Sequence, residues 1–133
     1  MTFLLLLAPN MSERQRAGLH RRLAEAFPEL TIERAASAAE AEPHIARADI
    51  LMAYNIPDEL AAKARSLRWI QSLASGTDGF LSRPSLPKAP TITRMQNVAA
   101  VPVSEGAVAL MLALAHRLPT ALQAAVPASS RIG

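Results

Sequence analysis

The chain has 133 residues, of which half are hydrophobic and 4% aromatic, and its formal net charge at pH 7 is +3. This length predicts one domain with a substantial core. Because the basic residues are dispersed, with Arg21-Arg22 as the one adjacent pair, and aromatic partners for base stacking are scarce, no nucleic-acid binding is expected. The absence of cysteine excludes disulfides and thiolate chemistry and agrees with an expected cytoplasmic location.

Two apolar runs have the composition of membrane or export segments. Phe3 to Ala8 has no basic leader before it and continues directly into Pro9-Asn10, so it predicts a strand and not a secretion signal. Ala107 to Ala115 is about half as long as a helix that crosses a bilayer. The sequence therefore predicts no membrane segment.

The first third of the chain predicts a strand, a helix and a second strand. Thr2 to Leu7 is almost continuously apolar, which is typical of a strand buried on both faces of a parallel sheet. Ser12 and Gln15 have capping-box spacing, and the helix that they open is expected to end at Pro28. Leu30 to Glu33 alternates apolar and polar residues, as in an edge strand.

The next elements continue this alternation. Ser37 and Glu40 repeat the capping pattern, but Pro43 follows within six residues, so a short helix over Pro43 to Arg47 is expected. Asp49 to Ala53 predicts the third strand. Pro57-Asp58-Glu59 then begins a helix that is expected to reach about Ser66, because acidic residues are favoured in a first turn.

Arg68 to Leu73 predicts the fourth strand, and the loop after it is the strongest candidate for a binding site. If the N–H groups of Gly76, Thr77 and Asp78 point together, they form a nest that holds a carboxylate or phosphate oxygen. We expect Gly76 to use backbone angles closed to other residues. The alternative is that Gly76 and Gly79 only turn the chain and that Asp78 caps a helix.

Tyr54 and Asn55 leave the third strand at the edge of the sheet that also carries the glycine loop, if the strands are parallel. Ligands bind at this edge in open α/β sheets, so both residues are candidates to face the same ligand. The alternative is a capping Asn55 and a half-buried Tyr54.

The last third predicts one more strand and an apolar helix. Thr91 to Thr93 is the fifth strand, and five strands separated by helices predict a doubly wound parallel α/β sheet. A helix from Ser104 to Arg117, with Ser104 or Val103 at its cap, is apolar nearly all round and is expected to dock on another domain or subunit. Pro119 is expected to break it, and Pro127 to Gly133 to form a tail.

Local catalytic motifs are absent from the sequence. It contains no HExxH, GxSxG, Walker or GxGxxG pattern, and its three histidines have no metal-site spacing. Local motifs therefore assign no catalytic or metal-binding function to the chain.

Two longer segments resemble a known family. They are LRWIQSLASGTDGF at 67–80 and ITRMQNVAAVPVSEGAVALMLALAHRLP at 92–119. Both are similar to the D-isomer-specific 2-hydroxyacid dehydrogenases, particularly the glyoxylate/hydroxypyruvate reductase branch. Their first domain carries LKWIQ-x-x-x-AG-(V/T)-D, then a TN-x-x-G-x-x-x-x-P-x-SE segment and an LMLALAR helix. The resemblance covers Asp49 to Pro119.

The resemblance implies a flavodoxin-like substrate-binding domain. Backbone N–H groups at Gly76 and Thr77, with Ser75 alongside, would hold the carboxylate of a small 2-oxoacid or 2-hydroxyacid, and Tyr54 and Asn55 would line the pocket.

Two positions depart from the family pattern. Arg94 replaces an Asn, which puts the geometry of the hinge in question. Asn97 replaces a Gly, but Asn also adopts positive φ and can keep the turn.

The family also implies a domain organisation. Residues 1–100 would form the substrate-binding domain, 101–126 the inter-domain or dimerisation region and 127–133 the tail. The nucleotide-binding domain that carries NAD(P) and the catalytic Arg, Glu and His is absent from the sequence. The chain is therefore expected to bind no cofactor alone, to be inactive as a reductase, and to form a homodimer through the helix Ser104 to Arg117. The alternative is a stand-alone flavodoxin-like module for protein interaction or small-anion binding.

Overall fold

The computed structural model describes residues 2–88 and 90–125, so the predicted tail at 127–133 lies outside the described residues. The chain divides into two compact units, Met1–Gln96 and Asn97–Gly133. The first carries a five-stranded sheet, and the described part of the second carries two helices.

The sheet of the first unit confirms the predicted fold class. Its strands are β1 (Thr2–Leu7), β2 (Leu30–Ala35), β3 (Ile50–Ala53), β4 (Trp69–Ser72) and β5 (Thr91–Arg94). All neighbouring strands are parallel, in the order β2-β1-β3-β4-β5. This is the flavodoxin-like order, in which the connections change direction between β1 and β3 and ligands bind beyond the carboxyl ends of the strands.

Four helices connect these strands: α1 (Glu13–Ala26), α2 (Ala38–Ile45), α3 (Asp58–Ala61) and α4 (Asp78–Leu81). The predicted capping box of α1 is present, because the Ser12 hydroxyl accepts from the Gln15 N–H while the Gln15 side chain accepts from the Ser12 N–H.

Two of these four helices differ from their predicted bounds. Helix α2 was expected at Pro43 to Arg47, but it begins at its Ser37 cap and contains Pro43. Proline removes one helical hydrogen bond, while the cap and the burial of Ala41 and Ile45 stabilise the earlier start. Helix α3 ends at Ala61, well before the expected Ser66.

The alternation of side chains along the strands forms two apolar clusters, one on each face of the sheet. One face packs against α2, α3 and Phe80 of α4, and its fully buried strand residues include Leu5, Leu51 and Ile70. The other face centres on Leu4 and Leu6 and packs against Leu19 of α1. Near β1, both faces of the sheet are therefore covered, as a parallel sheet requires.

The second face becomes polar and more exposed toward β4 and β5. Trp69 is 41% exposed there, and its indole N–H donates to the Thr93 hydroxyl at 2.7 Å. That hydroxyl lies 2.7 Å from the Gln71 side-chain oxygen, to which it donates. This part of the sheet is stabilised by a chain of polar contacts and not by an apolar layer.

The second unit begins with α5 (Ala100–Ala115) and α6 (Leu118–Ala125). Helix α5 starts before the expected Ser104 or Val103 cap, and Ser104 lies inside it with its hydroxyl donating to the Ala100 carbonyl. Pro102 is tolerated because first-turn N–H groups have no helical acceptor. The break occurs at His116 and Arg117, whose φ is 52°, and Pro119 lies in the first turn of α6.

Helix α5 is apolar nearly all round, as predicted, and none of its side chains is buried. Within residues 2–88 and 90–125, no single helix is long and apolar enough to cross a membrane. Helices α5 and α6 reach the required length and composition only as a pair, which is bent by 64°.

Candidate functional site

The loops after β3 and β4 begin side by side at the carboxyl edge of the sheet. Ala53 and Ser72, the last residues of these strands, are register partners. The Leu73 N–H then donates to the Ala53 carbonyl at 2.8 Å. The parallel pairing therefore brings the candidate residues of both loops to one edge, as the sequence pattern predicted.

Gly79 is the point where the two loops come into contact. A Cβ atom at this position would lie 3.1 Å from the Asn55 Cβ and 3.5 Å from the Tyr54 carbonyl oxygen. A larger residue would have to displace the loop after β3. The absence of a side chain at Gly79 thus allows Tyr54 and Asn55 to approach the start of α4.

Ser72 is a site residue that the sequence pattern did not identify. It is fully buried in β4, and its hydroxyl accepts from the Ala74 N–H at 3.1 Å. The same hydroxyl lies 2.9 Å from the Gly76 carbonyl and 3.3 Å from the Ala74 carbonyl, to which it can donate. The conformation of the loop is therefore fixed from inside the strand that precedes it.

Arg94 reaches the same loop from β5. Its Nη1 donates to the Ser75 carbonyl at 2.7 Å, and the N–H of Met95, the first residue after β5, donates to the Ala74 carbonyl at 3.3 Å. Three successive loop carbonyls, those of residues 74–76, consequently have protein donors. The residue that departs from the family pattern is part of the framework of the loop.

These carbonyl contacts determine where the loop N–H groups point. In a trans peptide group the C=O and the following N–H point in opposite directions, and no cis peptide bond occurs in the described residues. The N–H groups of Ser75, Gly76 and Thr77 therefore point away from Arg94 and Ser72. No acceptor from residues 2–88 or 90–125 pairs with these three donors, and Ser75 and Gly76 are exposed.

The conformation of Gly76 differs from the expectation. No glycine among the described residues has positive φ, so the loop does not use backbone angles closed to other residues at Gly76. A Cβ at Gly76 would meet only the Asp78 carboxylate, at an ordinary 3.5 Å. Glycine at this position therefore leaves the space of a side chain empty beside the loop.

The alternative capping role of Asp78 is wrong. Thr77 occupies the N-cap of α4, and no side chain makes a capping hydrogen bond there. Asp78 is instead the first helical residue. Beyond β5, Asn97 has a φ of 62°, so it keeps the left-handed turn for which glycine is otherwise favoured.

Charged groups elsewhere in the first unit form structural contacts. Arg16 is buried, and its guanidinium donates to the carbonyls of Ala8 and Met11 and to Glu13. The hydrogen bond from Arg16 lowers the pKa of Glu13, and the charge of nearby Arg34 acts in the same direction. Among the described residues, no group of three His, Asp or Glu side chains could hold a metal ion.

Two concavities of the first unit lie apart from the loop residues 75–77. One, of about 500 Å³, is lined by residues at and before the amino ends of the strands, together with Thr93: Thr2, Asp49, Ile50, Arg68, Trp69, Thr91, Thr93. Another, of about 480 Å³, lies between α4 and the connection to β5 and is lined by Phe80, Leu86 and Ile92 among others. Donor chemistry, and not cavity volume, therefore identifies the candidate site.

Comparisons with known proteins agree with this architecture. The chain is similar to the crystal structure of a D-isomer specific 2-hydroxyacid dehydrogenase family protein from Aeromonas salmonicida subsp. salmonicida A449, with 31% identity and a TM-score of 0.78. The match covers 92% of this chain and 38% of that chain. No family model and no curated protein matches the sequence.

A second solved structure supports the fold alone. It is the PH0520 protein from Pyrococcus horikoshii OT3, which is 19% identical with a TM-score of 0.58. The match covers 90% of this chain and 35% of that chain. This chain thus spans less than two fifths of the length of either structure.

Proposed function

We propose that this chain is the substrate-binding domain of a D-isomer-specific 2-hydroxyacid dehydrogenase. It is 31% identical to one solved protein of that family and spans 38% of that protein's length. Its ligand is the carboxylate of a small 2-oxoacid or 2-hydroxyacid. Glyoxylate and hydroxypyruvate are the first candidates, because the two sequence segments resemble that branch. The proposed location is cytoplasmic.

One observation carries this proposal. The N–H groups of Ser75, Gly76 and Thr77 have no acceptor among the described residues, while the carbonyls of the same peptide groups are held by Ser72, Arg94 and Met95. Successive backbone donors of this kind bind carboxylate or phosphate oxygens. Tyr54 and Asn55, held near the loop by Gly79, are proposed to contact the rest of the substrate.

The proposal limits what this chain does in the reaction. Hydride transfer needs a nicotinamide held against the carbonyl carbon, and a general acid to deliver a proton. The sequence contains no GxGxxG segment for NAD(P). We propose that NAD(P) and the catalytic residues belong to the complete enzyme, and that the 133-residue chain alone binds substrate without reducing it.

The test is a titration of the chain with glyoxylate and with hydroxypyruvate, followed by NMR. Saturable shifts of the Ser75, Gly76 and Thr77 amide resonances, with smaller shifts at Tyr54 and Asn55, are expected. Absence of saturable shifts at millimolar ligand would refute the proposed site in this chain.

A pair of glycine variants makes the titration specific. Gly76→Val places a branched side chain beside the N–H donors and is expected to abolish binding while the chain stays folded. Gly18→Val is the control, because Gly18 lies in α1 with no atom within 4 Å of a Cβ. Normal binding by Gly76→Val would locate the carboxylate elsewhere.

A second candidate function is protein interaction without catalysis, and helix α5 favours it. Leu110, Met111 and Leu114 are each more than 65% exposed, and contiguous apolar surface of this kind marks interaction sites. We propose a homodimer through helix α5 (Ala100–Ala115). Sedimentation of the chain is expected to show a dimer that Leu110→Glu dissociates, whereas Glu105→Gln leaves it intact. A monomeric chain would contradict this proposal.

A further inference from the structure

Arg94 has a more specific role than its place at the end of β5 indicates. Arg94 stands where the family pattern has an Asn. Its side chain crosses from β5 to the loop after β4. There Nη1 donates to the Ser75 carbonyl at 2.7 Å. The contact is charge-assisted, which makes it stronger than a hydrogen bond between neutral groups.

The acceptor of this bond, the Ser75 carbonyl, shares a peptide group with an N–H that is proposed to donate to the ligand carboxylate. The Ser75 carbonyl and the Gly76 N–H belong to one planar unit and point in opposite directions. Arg94 is therefore behind the Gly76 N–H, on the side away from any bound anion. Its hydrogen bond fixes the rotation of this peptide group and polarises it, since hydrogen bonds in a chain strengthen one another.

Ser72 does the same for the next peptide group by a different means. Its hydroxyl lies 2.9 Å from the Gly76 carbonyl and orients the Thr77 N–H, but it is neutral and buried. Arg94 is exposed and carries a full positive charge. The hydrogen bonds from Ser72 and Arg94 are thus unequal. The Arg94 charge strengthens the positive end of the Gly76 N–H, whereas the neutral Ser72 hydroxyl only orients the Thr77 N–H.

We infer that Arg94 is a positioning residue for the carboxylate site, which orients and polarises the Ser75–Gly76 peptide group so that the Gly76 N–H binds the carboxylate more tightly. This inference rests on the proposed function of the loop. Arg94 does not touch the ligand; it acts through the Ser75 carbonyl.

The test compares glyoxylate affinity in the unmodified chain and in Arg94→Gln, Arg94→Lys and Arg83→Gln. Arg83 is the matched control, since its Nε donates to the Gly79 carbonyl at 3.3 Å, outside the three peptide groups of the site. Arg94→Gln is expected to weaken binding about tenfold, the loss of roughly one charge-assisted contribution. Arg94→Lys is expected to recover part of the loss, and Arg83→Gln to stay within about twofold of the unmodified chain.

A spectroscopic measurement separates positioning from general charge. Arg94→Gln is expected to shift the Ser75 carbonyl and Gly76 amide resonances in the ligand-free chain, and Arg83→Gln to leave them unchanged. Equal weakening by Arg94→Gln and Arg83→Gln would show a net-charge effect and overturn the inference.

The inference and the proposed function fail in different ways. Unchanged binding by Arg94→Gln, in a series where the unmodified chain binds, would overturn the inference alone. No binding by the unmodified chain would refute the carboxylate site itself, and the role of Arg94 with it.

Discussion

The two units of the chain are both rich in apolar residues, but only the first buries them among its described residues. Leu5, Leu51 and Ile70 of the sheet are fully inaccessible to solvent, whereas no side chain of α5 or α6 is buried. The sheet therefore has the apolar layers that stabilise a fold. A helix without a fully buried side chain gains less from packing and depends more on intrinsic propensity, which is weak.

Hydrophobicity therefore predicts an element more securely than it predicts the partner of that element. The alternation along β3 and β4 identifies which side chains face the core. The apolar surface of α5 has no such directional pattern, because nearly every side is apolar. The sequence pattern therefore assigns no single contact face to α5.

Truncation of one leucine in each unit should show the largest contrast. Leu51→Ala removes a fully buried side chain from β3 and is expected to lower the free energy of unfolding by about 3 kcal/mol. Leu122→Ala truncates a side chain of α6 that is 60% exposed and should change it by less than about 0.5 kcal/mol. Urea denaturation measures both, and equal losses would contradict the comparison.

A smaller contrast lies within the first unit, between two serines that bond to backbone carbonyls. Ser72→Ala leaves the Ala74 N–H and the Gly76 carbonyl without their buried partner, and a loss of about 1–2 kcal/mol is expected. Ser82→Ala removes an exposed contact to the Asp78 carbonyl, so near-neutral stability is expected. Thermal unfolding of both variants measures the difference, and a neutral Ser72→Ala would show that the loop is not fixed from the strand.

The smallest effect is expected at Glu13, which is exposed although it belongs to the well-packed unit. The hydrogen bond from Arg16 lowers the pKa of the Glu13 carboxyl below its ordinary value of 4.5. The ionised carboxylate therefore stabilises the folded state at pH values above 4.5, and this contribution is lost as the pH falls through the lowered pKa. Glu13→Gln should therefore be slightly less stable than the unmodified chain at pH 7 and equally stable in acid.

Denaturation curves at neutral and acid pH measure the Glu13 effect. The control is Glu25→Gln, because Glu25 and Arg21 are exposed and 3.9 Å apart, and an exposed ion pair of this kind contributes little to stability. A Glu13→Gln difference that stays constant with pH would exclude the ionised carboxylate as its source.

Much of the fold could be predicted from local patterns. The apolar run of β1 marks a strand covered on both faces, and the capping box at Ser12 gives the start of α1. Both signals lie within a few neighbouring residues. Helix α5 was misplaced because Pro102 resembles a boundary, although a first turn accepts proline without loss of a helical hydrogen bond.

The internal support of the candidate loop could not be predicted in the same way. Gly79 meets Asn55 across 24 positions, and Arg94 meets Ser75 across 19. Such contacts depend on strand register, which sequence spacing alone does not give. Ser72 was missed because a serine in a buried strand resembles a small core residue until its hydrogen bonds are known.

The exposed indole of Trp69 at the start of β4 is an intrinsic fluorescence probe. Trp69 is the one tryptophan in the sequence, and it lies on the polar, less covered face of the sheet. It is about 10 Å along the strand from the end that leads into the glycine loop. Any domain or subunit that covers this face should shift its fluorescence to shorter wavelength, whereas carboxylate binding at the far end should not. One emission spectrum therefore distinguishes assembly on this face from ligand binding without a label.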